Sequence, residues 1–453
     1  MRKTVRLEGA SPEVCSSRFG SSGSICGHVF RKAGHDRITV LQKSKKLVET
    51  DSVFKTESVF WAVIYFGSRL RRGCMHSDLT RRQMLRKVAG AAALAQTETG
   101  WEHSFAGQTG ALSGPEVNPG PPRKIALLGL AHIHTPSFVR LITARTDVRV
   151  VKVWDHRTRY AQELAGSLNA AACSDRKEIW DDPEMDAVII LSETVRHREL
   201  VTEAALARKN IFVEKPLGIG TNDAMEMAAA IGKAGVLFQT GYAMRGEPVY
   251  LFLREQIQKG LFGKITRVRL CVSHAGGLDG MFAKEYSWMT DPRQTGVGGF
   301  GDIGTHALDL LIWYFGDVAR VTAGIQSLSG KQDDGNENGE AVLEFRNGVT
   351  AVISSGWLDW DNPMPVYIGG TGGCAYKIKD RFYFQCDQVE GADGRRAWNK
   401  FPQAWAHPLD LFLDAVGGKK EVPLVKVKEA AACCRVMEAL YRAAAERTWL
   451  AVT

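Results

Sequence analysis

The sequence predicts an α/β protein with two folded parts: a doubly wound parallel sheet over residues 124–242 and an α+β domain over residues 243–453. From residue 124 onward, short apolar strands alternate with helix-length segments, which is typical of parallel β-α-β units. Beyond residue 243, alternating runs such as KITRVRLCVSH and AVLEFRNGVTAVISSG predict an open, mainly antiparallel sheet, with Asn347 and Gly348 as a hairpin turn.

The first part can be divided into successive strands and helices. Strands are predicted at KIALLGL, VRVVKVW, DAVIIL, NIFV and VLFQTGY, with helices near residues 135–144, 157–165, 196–207 and 222–233 between them. A helix near residues 427–446 is predicted to pack back on this domain. In a doubly wound sheet, the ligand lies at the carboxyl ends of the strands.

The positive charge of the chain is concentrated before this body. Residues 1–76 carry 14 Lys and Arg against 6 Asp and Glu, a net +8 that equals the net charge of all 453 residues. The folded body is therefore near neutral, and a nucleic-acid-binding face is not indicated. Because residues 1–76 show no sustained period, they are predicted to be a disordered extension or a gene-model artefact, with translation starting at Met75.

Residues 77–96 contain TRRQMLRKVAGAAALAQ, which joins paired arginines, an Ala-rich stretch and an A-x-A cleavage site. This pattern predicts a twin-arginine signal peptide and export to the periplasm or an equivalent compartment. A basic helix start followed by an alanine helix is the alternative. Residues 97–123, with SGPEVNPGPP, are predicted to be a linker.

Two classes of structure are not indicated. The nine cysteines include no CxxC pair, so neither a zinc knuckle nor a disulfide framework is expected. No apolar run reaches the ~18 residues of a membrane-spanning helix.

The turn after the first strand is a candidate dinucleotide site, because a pyrophosphate binds at the amino end of the following helix. It departs from the usual G-x-G-x-x-G. Gly129 matches the first glycine, Ala131 replaces the second and His134 replaces the third. Asp155 ends the second strand, where a carboxylate accepts hydrogen bonds from both ribose hydroxyls, which favours NAD while leaving NADP possible.

Two later stretches, VEKPLG at residues 213–218 and GDIGTHALDLLIWYFG at residues 301–316, resemble the Gfo/Idh/MocA family of NAD(P)-dependent sugar and cyclitol oxidoreductases. The resemblance covers roughly residues 124–450 and includes GYAMR at residues 241–245. It implies a Rossmann domain, a sugar, polyol or sugar derivative as substrate, and self-association through the open sheet.

The resemblance also implies a catalytic group of Lys215, Asp302 and His306. His306 would be the acid/base, since hydride transfer from an alcohol carbon requires removal of the hydroxyl proton. Lys215 would stabilise charge on the alcohol oxygen, and Asp302 would orient the imidazole and favour its charged form. If a helix starts near Asp302, then Asp302, His306 and Asp309 share one face.

The remaining predicted site residues fall into two sets. The cofactor set is Gly129, Ala131, His132, Ile133, His134, Asp155, Ser192, His197, Glu214, Lys215 and Pro216. The substrate set is Tyr242, Arg245, Trp288 and Asp309, and no metal ligand is assigned.

Three alternatives stay open. The same fold can hydrolyse a glycoside by transient oxidation, elimination and re-reduction, without net NADH. His132 and His134 form an H-x-H, which also begins metal-dependent hydrolases of the β/α-barrel type. The altered glycine turn is compatible with a sugar-binding protein that has lost turnover.

Overall fold

The computed structural model describes residues 121–329 and 336–453. The predicted extension, the signal peptide and nearly all of the linker lie outside these residues. Within them, no helix is long and apolar enough to cross a membrane. The six described cysteines are free thiols, as the spacing predicted.

The first domain is a six-stranded parallel sheet in the order β3-β2-β1-β4-β5-β6. Its strands are β1 (Arg123–Leu128), β2 (Val148–Trp154), β3 (Ala171–Ala172), β4 (Ala187–Ile190), β5 (Asn210–Val213) and β6 (Phe238–Thr240). The helices are α1 (Thr135–Thr143), α2 (Thr158–Leu168), α3 (Lys177–Trp180), α4 (His197–Leu206) and α5 (Gly220–Ala234). The doubly wound prediction is confirmed, and β1 lies centrally because both of its faces are apolar and buried.

The second domain has an eight-stranded sheet in the order β13-β12-β11-β7-β10-β9-β8-β14. Its strands are β7 (Ile265–Ser273), β8 (Val318–Gln326), β9 (Asn338–Phe345), β10 (Thr350–Gly356), β11 (Val366–Gly370), β12 (Gly373–Ile378), β13 (Arg381–Cys386) and β14 (Leu450–Ala451). Only the pairing of β7 with β10 is parallel among these strands. The predicted hairpin joins β9 to β10, with Gly348 at a φ of 86° that glycine adopts without strain. Self-association through this sheet stays a prediction.

Five further helices complete the domain: α6 (Pro248–Gln258), α7 (Pro292–Thr295), α8 (Gly299–Phe315), α9 (Pro408–Val416) and α10 (Val427–Glu446). Helix α8 begins at Gly299, three residues before the predicted start at Asp302. A Cβ at Gly299 would lie 2.6 Å from the Glu337 carbonyl oxygen, so a residue without a side chain is needed there. Asp302 therefore lies in the first turn of α8. Nearly every side chain of α8 is buried.

The chain returns to the first domain twice. Helix α10 contacts α5 as predicted, and the Glu438 carboxylate accepts a 2.7 Å hydrogen bond from the backbone N–H of Thr221. Helix α9 was not predicted, and it packs against β5 and β6 on one face of the parallel sheet. Its Leu409, Phe412 and Leu413 join the same apolar cluster as Phe212. The first domain is thus completed by residues from the second half of the sequence.

A buried ion pair joins three segments of the second domain. The Arg245 guanidinium donates to both carboxylate oxygens of Asp309 at 2.8 and 2.6 Å and to Glu429 at 2.7 Å. Arg245 and Asp309 are both buried. A bidentate pair of this kind fixes the orientation of the residues 243–246 turn relative to α8 and α10.

We expect Asp309→Ala to destabilise the protein by ~3–5 kcal/mol, because it leaves the Arg245 charge buried with a weaker partner. Urea or thermal unfolding followed by circular dichroism measures the change. Glu344→Ala, which breaks an exposed pair with Arg320, serves as the control and should leave stability nearly unchanged. Equal effects for the two variants would contradict the structural role of the buried pair.

Candidate active site

Lys215 and Asp302 form a buried ion pair between the two domains. Lys215 follows β5, and its Nζ lies 2.9 Å from Asp302 Oδ1 and 3.2 Å from the Asp302 carbonyl oxygen. The other carboxylate oxygen of Asp302 accepts a 3.2 Å hydrogen bond from Trp357 Nε1. Burial would raise the pKa of the Asp302 carboxyl, but the Lys215 charge and hydrogen bond hold it below its ordinary value. Asp302 is therefore an oriented anion.

His306 lies one turn along α8 from Asp302 and is buried against the edge of the Tyr242 ring, with ring centroids 6.1 Å apart. Burial, followed by the positive charge of Lys215, lowers the pKa of the imidazole to about 3, and Asp302 opposes this only in part. Asp302 does favour the charged form, as expected, but burial and the Lys215 charge outweigh its effect. The low pKa favours the neutral imidazole, which is the form that can accept a proton, but it also makes His306 a weak base in the absence of substrate.

The first turn is built around Gly129. Its φ is 70°, and a Cβ at this position would lie 2.4 Å from the Cβ of Ser192. Only glycine permits that approach, which brings the ends of β1 and β4 together. The carbonyl oxygen of Ala131 accepts a 3.2 Å hydrogen bond from Trp288 Nε1, so the turn also contacts the second domain.

Asp155 is buried at the end of β2, where it fixes two loops. Its carboxylate accepts hydrogen bonds from the backbone N–H of Leu130 at 2.7 Å and of Arg157 at 2.7 Å. The Arg157 side chain adds a contact at 3.1 Å. Asp155 therefore holds the first turn in place, and its predicted contact with a ribose remains a prediction.

His197 is buried behind the turns that carry the predicted cofactor residues Ser192 and Pro216. It is completely buried, with Nδ1 3.1 Å from the Pro216 carbonyl oxygen and Nε2 3.3 Å from that of Ser192. Both ring nitrogens lie within hydrogen-bond distance of backbone oxygens, and whichever carries the proton donates, so His197 joins the turn after β4 to the turn after β5. Its role in the structure is to support the cofactor-binding turns.

The predicted substrate residues separate into two groups. Arg245 and Asp309 pair with each other on the side of α8 that faces α10, so they do not join the Lys215 group. Tyr242 and Trp288 do border it. The Tyr242 hydroxyl lies 3.2 Å from that of Thr305, and Trp288 lies 6.1 Å from the His132 ring.

Three predicted cofactor residues converge at the carboxyl ends of β1 and β5. Glu214 Oε1 lies 2.9 Å from His134 Nδ1 and 3.6 Å from His132 Nδ1. The H-x-H alternative expected a β/α barrel, and that fold is wrong, because β1 lies in an open sheet. The proximity of Glu214 to both histidines had no signal in the local sequence, since the histidines follow β1 and Glu214 follows β5, 80 residues beyond His134 along the chain.

Trp357 is the site residue that the sequence analysis missed. It follows β10, stacks on Phe282 at a centroid distance of 3.9 Å and donates to Asp302. Its only signal was its place at the end of the predicted strand AVISSGW, at the carboxyl end of a strand beside α8.

The first turn fits a dinucleotide. The Gly129 turn leads into the amino end of α1, where the buried Thr135 hydroxyl has no hydrogen-bond partner among the described residues. An anion binds at such a helix end, and the anchored Asp155 lies at the end of the neighbouring strand. The replacement of the third glycine by His134 leaves this end of the helix intact, since that side chain turns toward Glu214.

Comparison with known families and proteins agrees with this architecture. The model described as "Oxidoreductase family, NAD-binding Rossmann fold" matches residues 123–242, and that of the GFO/IDH/MocA C-terminal domain matches residues 250–376. Together they span more than half of the chain.

Individual relatives match over part of their length. The scyllo-inositol 2-dehydrogenase (NAD(+)) of Bacillus subtilis is 32% identical over 142 residues, covering 31% of this chain and 42% of the relative. The myo-inositol 2-dehydrogenase of Thermotoga maritima is 27% identical over 51% of this chain and 68% of the relative. The chain spans about half the length of several curated relatives that it matches.

A solved levoglucosan dehydrogenase in complex with NADH and L-sorbose superposes with a TM-score of 0.60 at 19% identity, covering 73% of this chain and 98% of the other. At this identity the likeness shows the fold alone. The two family matches, the parallel sheet and the dinucleotide-type turn together show that the chain belongs to the Gfo/Idh/MocA oxidoreductase family, with NAD as its cofactor.

Proposed function

We propose that the protein is an NAD-dependent oxidoreductase that acts on a CH–OH group of a sugar, polyol or sugar derivative. The observation that carries this proposal is the meeting of Lys215, Asp302 and His306 at the carboxyl end of β5, next to the dinucleotide-type turn. The relatives include inositol dehydrogenases, and one solved structural neighbour holds L-sorbose. Both findings support a polyhydroxylated substrate.

Lys215 and His306 both act on the substrate oxygen, but in different roles. The Lys215 ammonium donates a hydrogen bond to the alcohol oxygen and stabilises the negative charge that forms on it. The neutral imidazole of His306 accepts the hydroxyl proton. NAD held at the turn after β1 would supply the acceptor for the hydride of the alcohol carbon, which would leave a carbonyl group.

Asp302 keeps the Lys215 ammonium in position and interacts with the charge on His306. It restrains Lys215 Nζ through the 2.9 Å contact, and its negative charge stabilises His306 once the imidazole carries the proton. Trp357 in turn restrains the Asp302 carboxylate, so the orientation of the ammonium depends on a residue of the second sheet.

Lys215→Met tests the assignment. We expect it to lower kcat by at least ~10²-fold, as loss of a charge-stabilising donor does, while NAD still binds. Steady-state assays with a panel of sugars and polyols, together with fluorescence titration of NAD, measure both. Lys233→Met, an exposed lysine on α5, is the control. Unchanged turnover in Lys215→Met would reject the role of Lys215.

The same assay separates net oxidation from glycoside hydrolysis. Stoichiometric release of NADH with a carbonyl product is expected here. Cleavage of a glycoside without accumulation of NADH would show the transient-oxidation reaction instead, and NAD binding without any turnover would show a sugar-binding protein.

Trp357→Phe should lower kcat ~10-fold, because it removes a hydrogen bond to a charged acceptor while keeping the stack on Phe282. Affinity for NAD should not change. Trp360→Phe is the matched control, since that side chain is 87% exposed. A Trp357→Phe variant with the kcat of the wild type would show that Asp302 is held without this bond.

We further propose that the protein is exported through the twin-arginine route. Paired arginines followed by an Ala-rich stretch and an A-x-A site support this proposal. Replacing Arg81 and Arg82 by lysine should keep the protein in the cytoplasm, as cell fractionation and immunoblotting would reveal. Export of the lysine variant at the level of the unaltered protein would argue against the route.

A further inference from the structure

Two histidines and a glutamate come together beside the proposed catalytic group. Their ligand-type atoms all lie within 4.8 Å of one another, and they belong to His132, His134 and Glu214. The two histidines follow β1, while the glutamate follows β5. His132 and Glu214 are buried, and His134 is partly buried.

The charge on Glu214 requires a positive partner. Its Oε1 faces both imidazoles, 2.9 Å from His134 Nδ1 and 3.6 Å from His132 Nδ1. A carboxylate without any solvent exposure is costly unless a cation pairs with it. The nearby Lys215 ammonium already pairs with Asp302.

The spacing suits a metal ion. Ligand atoms ~2.0–2.1 Å from one tetrahedral ion lie roughly 3–3.5 Å apart. The observed separations of 2.9 Å (Glu214 to His134) and 3.6 Å (Glu214 to His132) bracket this range. Two imidazoles and one carboxylate leave at least one coordination position for water or substrate.

Two further features prepare the residues for this role. The second oxygen of Glu214 accepts a 2.9 Å hydrogen bond from the backbone N–H of Lys215, which fixes the carboxylate. His134 occupies the position of the third glycine of the dinucleotide turn, where the usual residue has no side chain. The departure from G-x-G-x-x-G therefore introduces the imidazole that reaches Glu214.

We propose that His132, His134 and Glu214 bind one divalent transition-metal ion of the zinc type, with an open position that takes a water or substrate oxygen. Metal binding replaces the hydrogen bond that His134 Nδ1–H donates to Glu214 Oε1, and a proton shift to the other ring nitrogen or to solvent leaves Nδ1 able to coordinate. It also replaces the 3.2 Å hydrogen bond that His132 Nδ1 accepts from the His134 backbone N–H. The proposal does not depend on hydride transfer.

Cobalt titration of the full-length chain tests this site. After removal of metals by chelator and dialysis, Co²⁺ should bind saturably at one equivalent per chain, with a visible absorption band that Zn²⁺ abolishes by competition. Glu214→Gln and His134→Gln should each weaken Co²⁺ binding by more than ~100-fold, since even loss of an outer-shell partner costs ~10–100-fold.

His274→Asn is the matched control. His274 interacts electrostatically with Asp302 and Lys215 but is not one of the three ligands, and an asparagine oxygen can keep the 2.9 Å bond that its Nδ1 accepts from Gly276. This variant should bind Co²⁺ like the wild type. Thermal unfolding and NAD titration of every variant separate loss of the ligand from loss of the fold, with His132→Gln available should either first variant not fold.

Two results would overturn the proposal. One is a wild-type chain that shows no saturable Co²⁺ band. The other is a band that persists with unchanged affinity in folded Glu214→Gln and His134→Gln, which would place the metal elsewhere.

Discussion

The active-site architecture depends on one buried contact, the ion pair between Lys215 and Asp302. Each charge would be costly at its depth without the other, so the end of β5 and the first turn of α8 must lie together. That requirement sets the position of the second domain against the parallel sheet. The position of His306 follows from that of Asp302, because a residue one helical turn further along α8 faces the same cleft.

The surroundings of this pair explain how a mostly apolar helix can carry polar groups. Asp302 pairs with Lys215 and accepts a hydrogen bond from Trp357, while Asp309 pairs with Arg245. Both carboxylates lie on α8, yet only the first faces the cofactor-binding turns. The second serves the packing of α8 against α10. On this face of α8, Asp302 therefore belongs to the proposed catalytic group, while Asp309 stabilises the packing of the helix.

The sequence predicted the parallel sheet through its periodicity, but it indicated the group of Lys215, Asp302 and His306 only through the resemblance to the Gfo/Idh/MocA family, since Lys215 lies 87 residues before Asp302. It could not separate Asp309 from the site, since i, i+4 and i+7 spacing does not reveal that Arg245 lies beside one end of the face. It also could not foresee the low proton affinity of His306, which arises from burial by other segments. Glu214 and Trp357 gained their partners only through contacts between distant strands.

Helix α9 has a consequence for how the chain is made. The sheet that receives the nucleotide is complete in sequence by Thr240, but Leu409, Phe412 and Leu413 cover the part of one face that is formed by β5 and β6. During synthesis, that face emerges from the ribosome long before its cover. The amino-terminal half must therefore pass through a state with an exposed apolar surface, and the nucleotide domain reaches its final form only after most of the second domain has been translated.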